Sequence, residues 1–248
     1  MRVLALDFDG VICDSAREAF VVGVRTYRAL LSPAFARDER DEALYGEFVG
    51  LMPLGNGATD YAVALLALER GLALADQAQY DAFRATLDPA PLRAYHRRFY
   101  QERAAWMKAD PASWHAHMRP YPGVCELLRR RSREVGLAIA TAKDRHSVRA
   151  LLTQYGVAEL FPEGAVLDKQ TSDSKRVHVS RIAERAGVTL PEVTFVDDKV
   201  NHLVDVAGLG ARCVLAAWGY NGQRERRVAE AHGILVSELA EFEALVFA

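Results

Sequence analysis

The sequence predicts an α/β protein whose parallel sheet is interrupted by a long inserted block of helices. Three observations carry this. Short apolar runs without polar alternation recur at Val3–Leu6, Val135–Ala140, Val193–Val196 and Cys213–Leu215, the habit of strands covered on both faces. Capped helical patterns lie between the later runs, and strand–helix–strand order implies right-handed parallel crossovers. The stretch from Ala16 to His117 has helix-type patterning, is rich in Ala, Leu, Arg and Glu, and offers no convincing buried strand. The 248 residues, 50% hydrophobic and 26% charged, suffice for a full core.

Taken in order, the first run ends in Asp7-Phe8-Asp9-Gly10, after which the chain leaves for the insert, with Asp14 and Ser15 read as a turn and helix cap. Within the insert, Gly50-Leu-Met-Pro-Leu-Gly55-Asn56-Gly57 reads as a flexible loop before a helix that starts at Thr59 or Asp60 and carries Tyr61, Leu65, Leu68 and Leu72. Pro89-Ala-Pro91 and Asp110-Pro111 read as turns. Arg119-Pro-Tyr-Pro122-Gly123 is a stiff re-entry segment into an amphipathic helix with Leu127 and Leu128. The expected division is residues 1–15 and 118–248 for the core and 16–117 for the helical module. After the second run, Asp144 caps a helix with Val148, Leu151, Leu152 and Tyr155, stopped by Gly156. Ser174 opens another with Val179, Ile182, Ala183 and Ala186, stopped by Gly187.

Composition narrows the function. Thirty-one Lys and Arg against thirty-three Asp and Glu give a formal charge of −2, which supplies no field to hold a polyanion, so a small substrate is expected rather than nucleic acid. No apolar run reaches membrane-spanning length, and the N-terminus turns acidic too soon for a signal peptide. Cys13, Cys125 and Cys213 are far apart and match no zinc spacing, so they read as reduced, mostly buried residues of a cytoplasmic protein. Arg129-Arg-Arg131 and Arg133 read as a solvated helix face, and Trp114, His115 and His117 as structural residues near a hinge.

The strand ends carry the chemistry. Asp7 and Asp9 lie two apart, so an extended backbone would aim both carboxylates the same way. At roughly 4 Å they repel by about 1 to 4 kcal/mol, which a bound cation or a retained proton relieves. A lone Asp-x-Asp can equally be a polar strand end capping the next helix. Here the other strand ends add Thr141 and Asp197-Asp198, and Lys175 opens the intervening helix. The carboxylates suit a hard divalent ion such as Mg²⁺, and the lysine and hydroxyl suit a phosphate.

Asp7-Phe-Asp9-Gly-Val-Ile-Cys-Asp14-Ser15, Thr141-Ala-Lys143, Lys175 and Phe195-Val-Asp197-Asp198-Lys-Val-Asn201 together resemble the haloacid dehalogenase superfamily. With Tyr121-Pro-Gly123-Val and the position of the insert, the likeness is to its helical-cap branch of phosphoglycolate phosphatases and β-phosphoglucomutase-like enzymes. The resemblance implies a Rossmann-like core with an α-helical cap domain and a Mg²⁺-dependent phosphatase acting on a small phosphorylated metabolite. By it, Asp7 attacks phosphorus to form an aspartyl phosphate, and Asp9 protonates the leaving oxygen and later activates water. Mg²⁺ falls to the Asp7 carboxylate, the Asp9 carbonyl and Asp198, with Asp197 accessory. Thr141, Ala142 and Lys175 are expected at the phosphoryl group, with Gly10 letting the backbone turn closely around it. Lys169 competes with Lys175 for this role, and the start of a capped helix favours Lys175.

His202 stands where many relatives carry a further acid, and it reads as a helix-surface residue. Asn56 and Thr59, in the cap loop, are candidates for leaving-group contacts. A phosphosugar mutase and a non-catalytic metal-dependent binding or regulatory protein remain as alternatives. Halide displacement does not need the acid Asp9 or the metal ligand Asp198, and phosphonate cleavage would replace Asp9 and use a cap lysine.

Overall fold

The computed structural model describes residues 1–247. The chain divides into two compact units, one formed by Met1–Asp14 with the chain from Arg119 onward, the other by Ser15–Met118.

The first unit is built on strands β1 (Val3–Leu6), β2 (Cys13–Asp14), β3 (Arg119–Pro120), β4 (Gly136–Ala140), β5 (Val166–Leu167), β6 (Val193–Asp197), β7 (Arg212–Ala216) and β8 (Leu235–Ser237). Six of them make a parallel sheet in the order β5-β4-β1-β6-β7-β8, while β2 and β3 form a separate antiparallel ribbon at which the insert departs and returns. In the centre, Leu4 lies opposite Leu137 on one side and Thr194 on the other. The four apolar runs read from the sequence are four of these strands. β5 and β8 escape that reading because two or three residues are too few to show a pattern.

Ser15–Met118 is helical: α1 (Ala16–Leu30), α2 (Glu42–Leu51), α3 (Ala58–Glu69), α4 (Gln77–Ala85), α5 (Pro89–Ala109) and α6 (Pro111–Ala116). Pro89-Ala90-Pro91 is not a turn: it opens the 21-residue α5, where a proline loses no helical hydrogen bond and the Asp88 carboxylate caps Ala90 N–H. The expected loop at 50–57 is shorter than anticipated, since Gly50 and Leu51 end α2 and Met52–Leu54 form a 3₁₀ turn. Leu72 lies beyond α3 and is exposed. Inside this unit Glu18 is fully buried, and Arg103 meets it through two parallel hydrogen bonds of 2.6 and 2.7 Å, with Trp114 Nε1 donating a third at 3.2 Å.

The sheet is flanked by α7 (Val124–Arg131), α8 (Arg145–Gln154), α9 (Lys175–Ala186), α10 (Val200–Ala207), α11 (Gln223–Ala231) and α12 (Phe242–Phe247). Val3, Ala5, Phe195, Cys213 and Leu215 on one face pack with Val179, Ile182, Leu203 and Ala229 from α9, α10 and α11. The alternate residues Leu4, Leu6, Leu137 and Ile139 are buried as well, as strands covered on both sides require. Asp144 caps α8 by accepting from Ser147 N at 2.9 Å, and Gly187 ends α9 in the left-handed conformation. The arginines of α7 are not simply solvated: Arg130 and Arg131 pair with Glu243 of α12, and Arg129 caps the Tyr155 carbonyl at the end of α8. No helix among the described residues is long and apolar enough to cross a membrane. All three cysteines are buried and unbridged.

Candidate active site

In a parallel sheet of this kind the connections reverse beside the first strand, and polar groups at the carboxyl ends of neighbouring strands face one crevice. β1 is that strand, with β4 and β6 on either side. Asp7 follows β1 directly, its backbone N–H still bonded to Val196 O at 2.8 Å, so the sheet ladder fixes its Cα. Asp197 closes β6, Asp198 follows it, and Thr141 follows β4.

Asp7, Asp197, Asp198 and Lys175 are all buried. Lys175, the first residue of α9, sends its ammonium to Asp7 Oδ2 at 2.6 Å, Asp197 Oδ2 at 3.3 Å and the Ala140 carbonyl at 2.6 Å. Lys175 is therefore the lysine brought to Asp7; Lys169 lies in the turn after β5. Burial alone would depress its pKa, but the Asp197 and Asp7 charges outweigh that and raise it. Asp197 responds in the opposite sense: despite burial, Lys175 and His202 hold its carboxyl far below the usual range. Its Oδ1 accepts from Lys199 N at 2.9 Å, and its Oδ2 lies 3.1 Å from His202 Nδ1. Burial pushes the Asp7 pKa up, with Lys175 opposing and Asp197 reinforcing.

Asp198 has less help. Tyr220 N donates to its Oδ2 at 2.8 Å, yet burial pushes its pKa up to about 7, with Lys199 opposing and Asp197 and Asp7 adding to the rise. It is packed between two glycines. A Cβ on Gly10 would fall 2.4 Å from Asp198 Cγ, and one on Gly219 would fall 2.3 Å from Asp198 Cβ. Gly10 also needs its positive φ of 79°, which side-chain-bearing residues rarely adopt. The space opened by the missing Gly10 side chain is filled by Asp198.

Asp7 and Asp9 do not share an extended backbone. β1 stops at Leu6, and a tight turn follows in which Ile12 N and Cys13 N both bond to the Phe8 carbonyl. Each carboxylate has its own lysine: Asp7 meets Lys175, and Asp9 meets Lys143, whose Nζ lies 3.1 Å from Oδ1 and 3.2 Å from Oδ2. Lys143 is buried, and its backbone N–H donates to Thr141 Oγ1 at 3.1 Å. Ala142 between them is exposed.

Sequence reasoning included Lys143 in the motif with Thr141 but gave it no role, and it set His202 aside although it touches Asp197. It had no signal for Gly219 and Tyr220, which come from the loop after β7 and contact Asp198 mainly through backbone. Asn56 and Thr59 belong to the helical unit, where Asn56 N donates to Asp60 Oδ2 at 2.9 Å and Thr59 Oγ1 lies 3.4 Å from His96 Nδ1.

The donor set suits a divalent cation. Three buried carboxylates, Asp7, Asp197 and Asp198, lie together, and the buried Lys175 ammonium pairs with only the first two, so full ionisation leaves negative charge that a cation would relieve. Ligand atoms of Asp7, Asp197 and His202 come within 4.8 Å of one another. The Lys175 ammonium already contacts Asp7 Oδ2 and Asp197 Oδ2, however, and both Asp197 oxygens are engaged. Asp7 Oδ1 accepts from Phe8 N at 2.6 Å, so the uncompensated charge lies chiefly with Asp198.

Residues 1–204 match the sequence model of haloacid dehalogenase-like hydrolases, and the chain belongs to that family. No curated protein matches it by sequence. Solved structures share its fold at low identity. A protein from Haemophilus somnus described as a predicted phosphoglycolate phosphatase superposes with a TM-score of 0.66 at 18% identity, covering 99% of this chain and 97% of its own. A haloacid dehalogenase-like hydrolase from Streptococcus pneumoniae reaches 0.70 at 14% identity, covering 100% and 98%. A predicted phosphatase from Clostridium acetobutylicum reaches 0.62 at 13% identity, covering 99% and 98%.

Proposed function

We propose that this hydrolase is a Mg²⁺-dependent phosphatase that cleaves a small phosphomonoester through an aspartyl phosphate on Asp7. The observation that carries the reading is the placement of Asp7: a buried carboxylate at the tip of the central strand, touching a buried lysine and flanked by two further aspartates. Two of the structural neighbours carry phosphatase descriptions, which fits it.

In this reading Asp7 attacks phosphorus as the ester P–O bond breaks, and the departing oxygen takes the bonding electron pair together with a proton from Asp9. Water then attacks the aspartyl phosphate and loses a proton to Asp9. Phosphate leaves and the Asp7 carboxylate is restored. One carboxylate nucleophile divides a hard displacement into two easier ones, and one adjacent acid–base group serves both. Lys175 neutralises charge at Asp7 and, with the Thr141 hydroxyl, at the transferring phosphoryl oxygens, where such transition states concentrate negative charge. Asp197 holds Lys175 in place. The Asp7 carboxylate, the Asp9 carbonyl and Asp198 would hold Mg²⁺, with Asp197 accessory, and the ion would supply Lewis-acid neutralisation of the phosphoryl group. Specificity for the leaving group falls to the helical insert, with Asn56 and Thr59 as candidates, because the core addresses only the phosphoryl group.

The test is hydrolysis of p-nitrophenyl phosphate with and without Mg²⁺ by the native protein and by Asp7→Asn. Activity that needs the metal and disappears in Asp7→Asn is expected. Full activity in Asp7→Asn, with deamidation excluded by mass spectrometry, overturns the reading.

A further inference from the structure

Lys143 belongs to none of the groups that the proposed chemistry uses, yet it is among the most carefully placed charges in the core. It is buried, and its Nζ reaches both oxygens of Asp9, at 3.1 and 3.2 Å. Burying a lysine without purpose is costly, and an arrangement that offers the ammonium one bidentate partner recovers that cost only in a fixed geometry. The backbone around it is fixed as well. Lys143 N–H donates to Thr141 Oγ1, Thr141 N–H donates to the Leu167 carbonyl at 2.9 Å, Asp144 caps α8, and Arg145 N–H donates to Asp168 Oδ2 at 3.1 Å. The Asp9 backbone is bridged to Cys13, but its side chain meets Lys143 alone among the ion pairs of the described residues. Asp9 lies in the turn after β1, its side chain is about a third exposed, and the next residue is the positive-φ Gly10.

From this geometry we infer that Lys143 is a positioning residue: it holds the Asp9 carboxylate at the angle from which it serves the leaving oxygen. The ammonium does not touch the substrate and exchanges no proton. It removes the side-chain rotation that the partly exposed Asp9 carboxylate would otherwise have, and a general acid out of line loses most of its effect. The inference rests on the phosphatase reading above and deepens it.

Leaving-group dependence tests it. Dinitrophenolate departs without a proton, whereas an alkoxide needs one, so kcat/KM for an alkyl phosphate depends on a well-placed Asp9 far more than kcat/KM for 2,4-dinitrophenyl phosphate. kcat/KM reports only steps up to departure of the leaving group, which keeps the later hydrolysis out of the comparison. Lys143→Met is expected to lower kcat/KM for the alkyl ester at least tenfold more than for the dinitrophenyl ester. Lys143→Arg should restore part of the difference. Asp9→Asn should show the same selectivity, and adding Lys143→Met to it should cost the alkyl ester nothing further.

Equal losses on both esters, or full additivity with Asp9→Asn, would mean a merely structural lysine and overturn the inference. Lys143→Gln, one bond shorter and uncharged but still polar, carries the same comparison if Lys143→Met does not fold. A native protein that cleaves neither ester would instead sink the phosphatase reading itself, so the two failures are distinct.

Discussion

Two of the places where the molecule buries charge are treated differently. In the helical unit, Glu18 and Arg103 meet in a bidentate pair with Trp114 as an additional donor, and the charges cancel. In the core, Asp7 and Asp197 share Lys175, with His202 beside Asp197, while Asp198 makes no ion pair with Lys175, and the buried carboxylates outnumber the buried ammonium that pairs with them. The first arrangement joins α1, α5 and α6 and asks for nothing more. The second keeps carboxylates in a state that a cation or a proton must complete. Burial is therefore a poor guide to function by itself; the useful sign is buried charge left uncompensated.

Removing the two cations sharpens the contrast. Arg103→Met and Lys175→Met each strand buried carboxylate, at a cost of about 3–5 kcal/mol by analogy with broken buried pairs. Only Lys175→Met should also lower kcat, by roughly 10² to 10³, the usual effect of deleting one group that stabilises transition-state charge. Steady-state kinetics on the folded fraction, with urea melts alongside, separate the two. Comparable kcat values in the two variants would erase the distinction.

A metal titration gives the next largest effect. The ordinary pKa of Asp198 is 3.8 and its folded value is about 7, so the folded state holds the proton more tightly than the unfolded chain does. Carrying Asp198 ionised costs stability, and that cost appears above pH 4, grows through the interval and is complete above pH 7. Mg²⁺ relieves it only where the proton has left. Saturating Mg²⁺ should raise Tm by about 5–10 °C at pH 7.5, and by much less at pH 5. Differential scanning calorimetry at the two pH values decides the matter, and equal shifts at both would contradict the assignment.

The smallest effect concerns the pair that cancels. Replacing both partners, as Glu18→Met with Arg103→Met, should recover most of the stability lost in Arg103→Met alone, leaving a net change within about 2 kcal/mol, because an apolar pair of similar bulk needs no compensation. Urea midpoints of the single and double variants measure it. A double variant as unstable as the single one would show that the pair does more than cancel.

How much of this could be read from the chain follows from the range of each interaction. The long buried strands and the caps at Asp144 and Gly187 are visible because their signals are local, and the polar ends of β1, β4 and β6 announce a site because each follows an apolar run. Which lysine meets which aspartate is not local. Lys175 and Lys143 both lie far from Asp7 and Asp9 in sequence, and only the ladder that aligns β1 with β4 and β6 decides the pairing. Pro89 misled for a physical reason, since proline opens a helix as readily as it opens a turn and only the Asp88 cap separates the two. Gly219 and Tyr220 act through missing bulk and a backbone N–H, which leave no trace in side-chain chemistry.

The position of β1 has a consequence for biosynthesis. It is a central strand of the sheet and precedes both neighbours in the chain, which are complete only at Ala140 and Asp197. A ribosome must therefore release the whole helical insert before that hydrophobic segment finds either partner, while the intervening helices can gather through contacts close in sequence. Asp7 thus stands at the tip of an unpaired strand until Ala140 has been made, and the crevice comes into being only once Asp197 and Asp198 have followed.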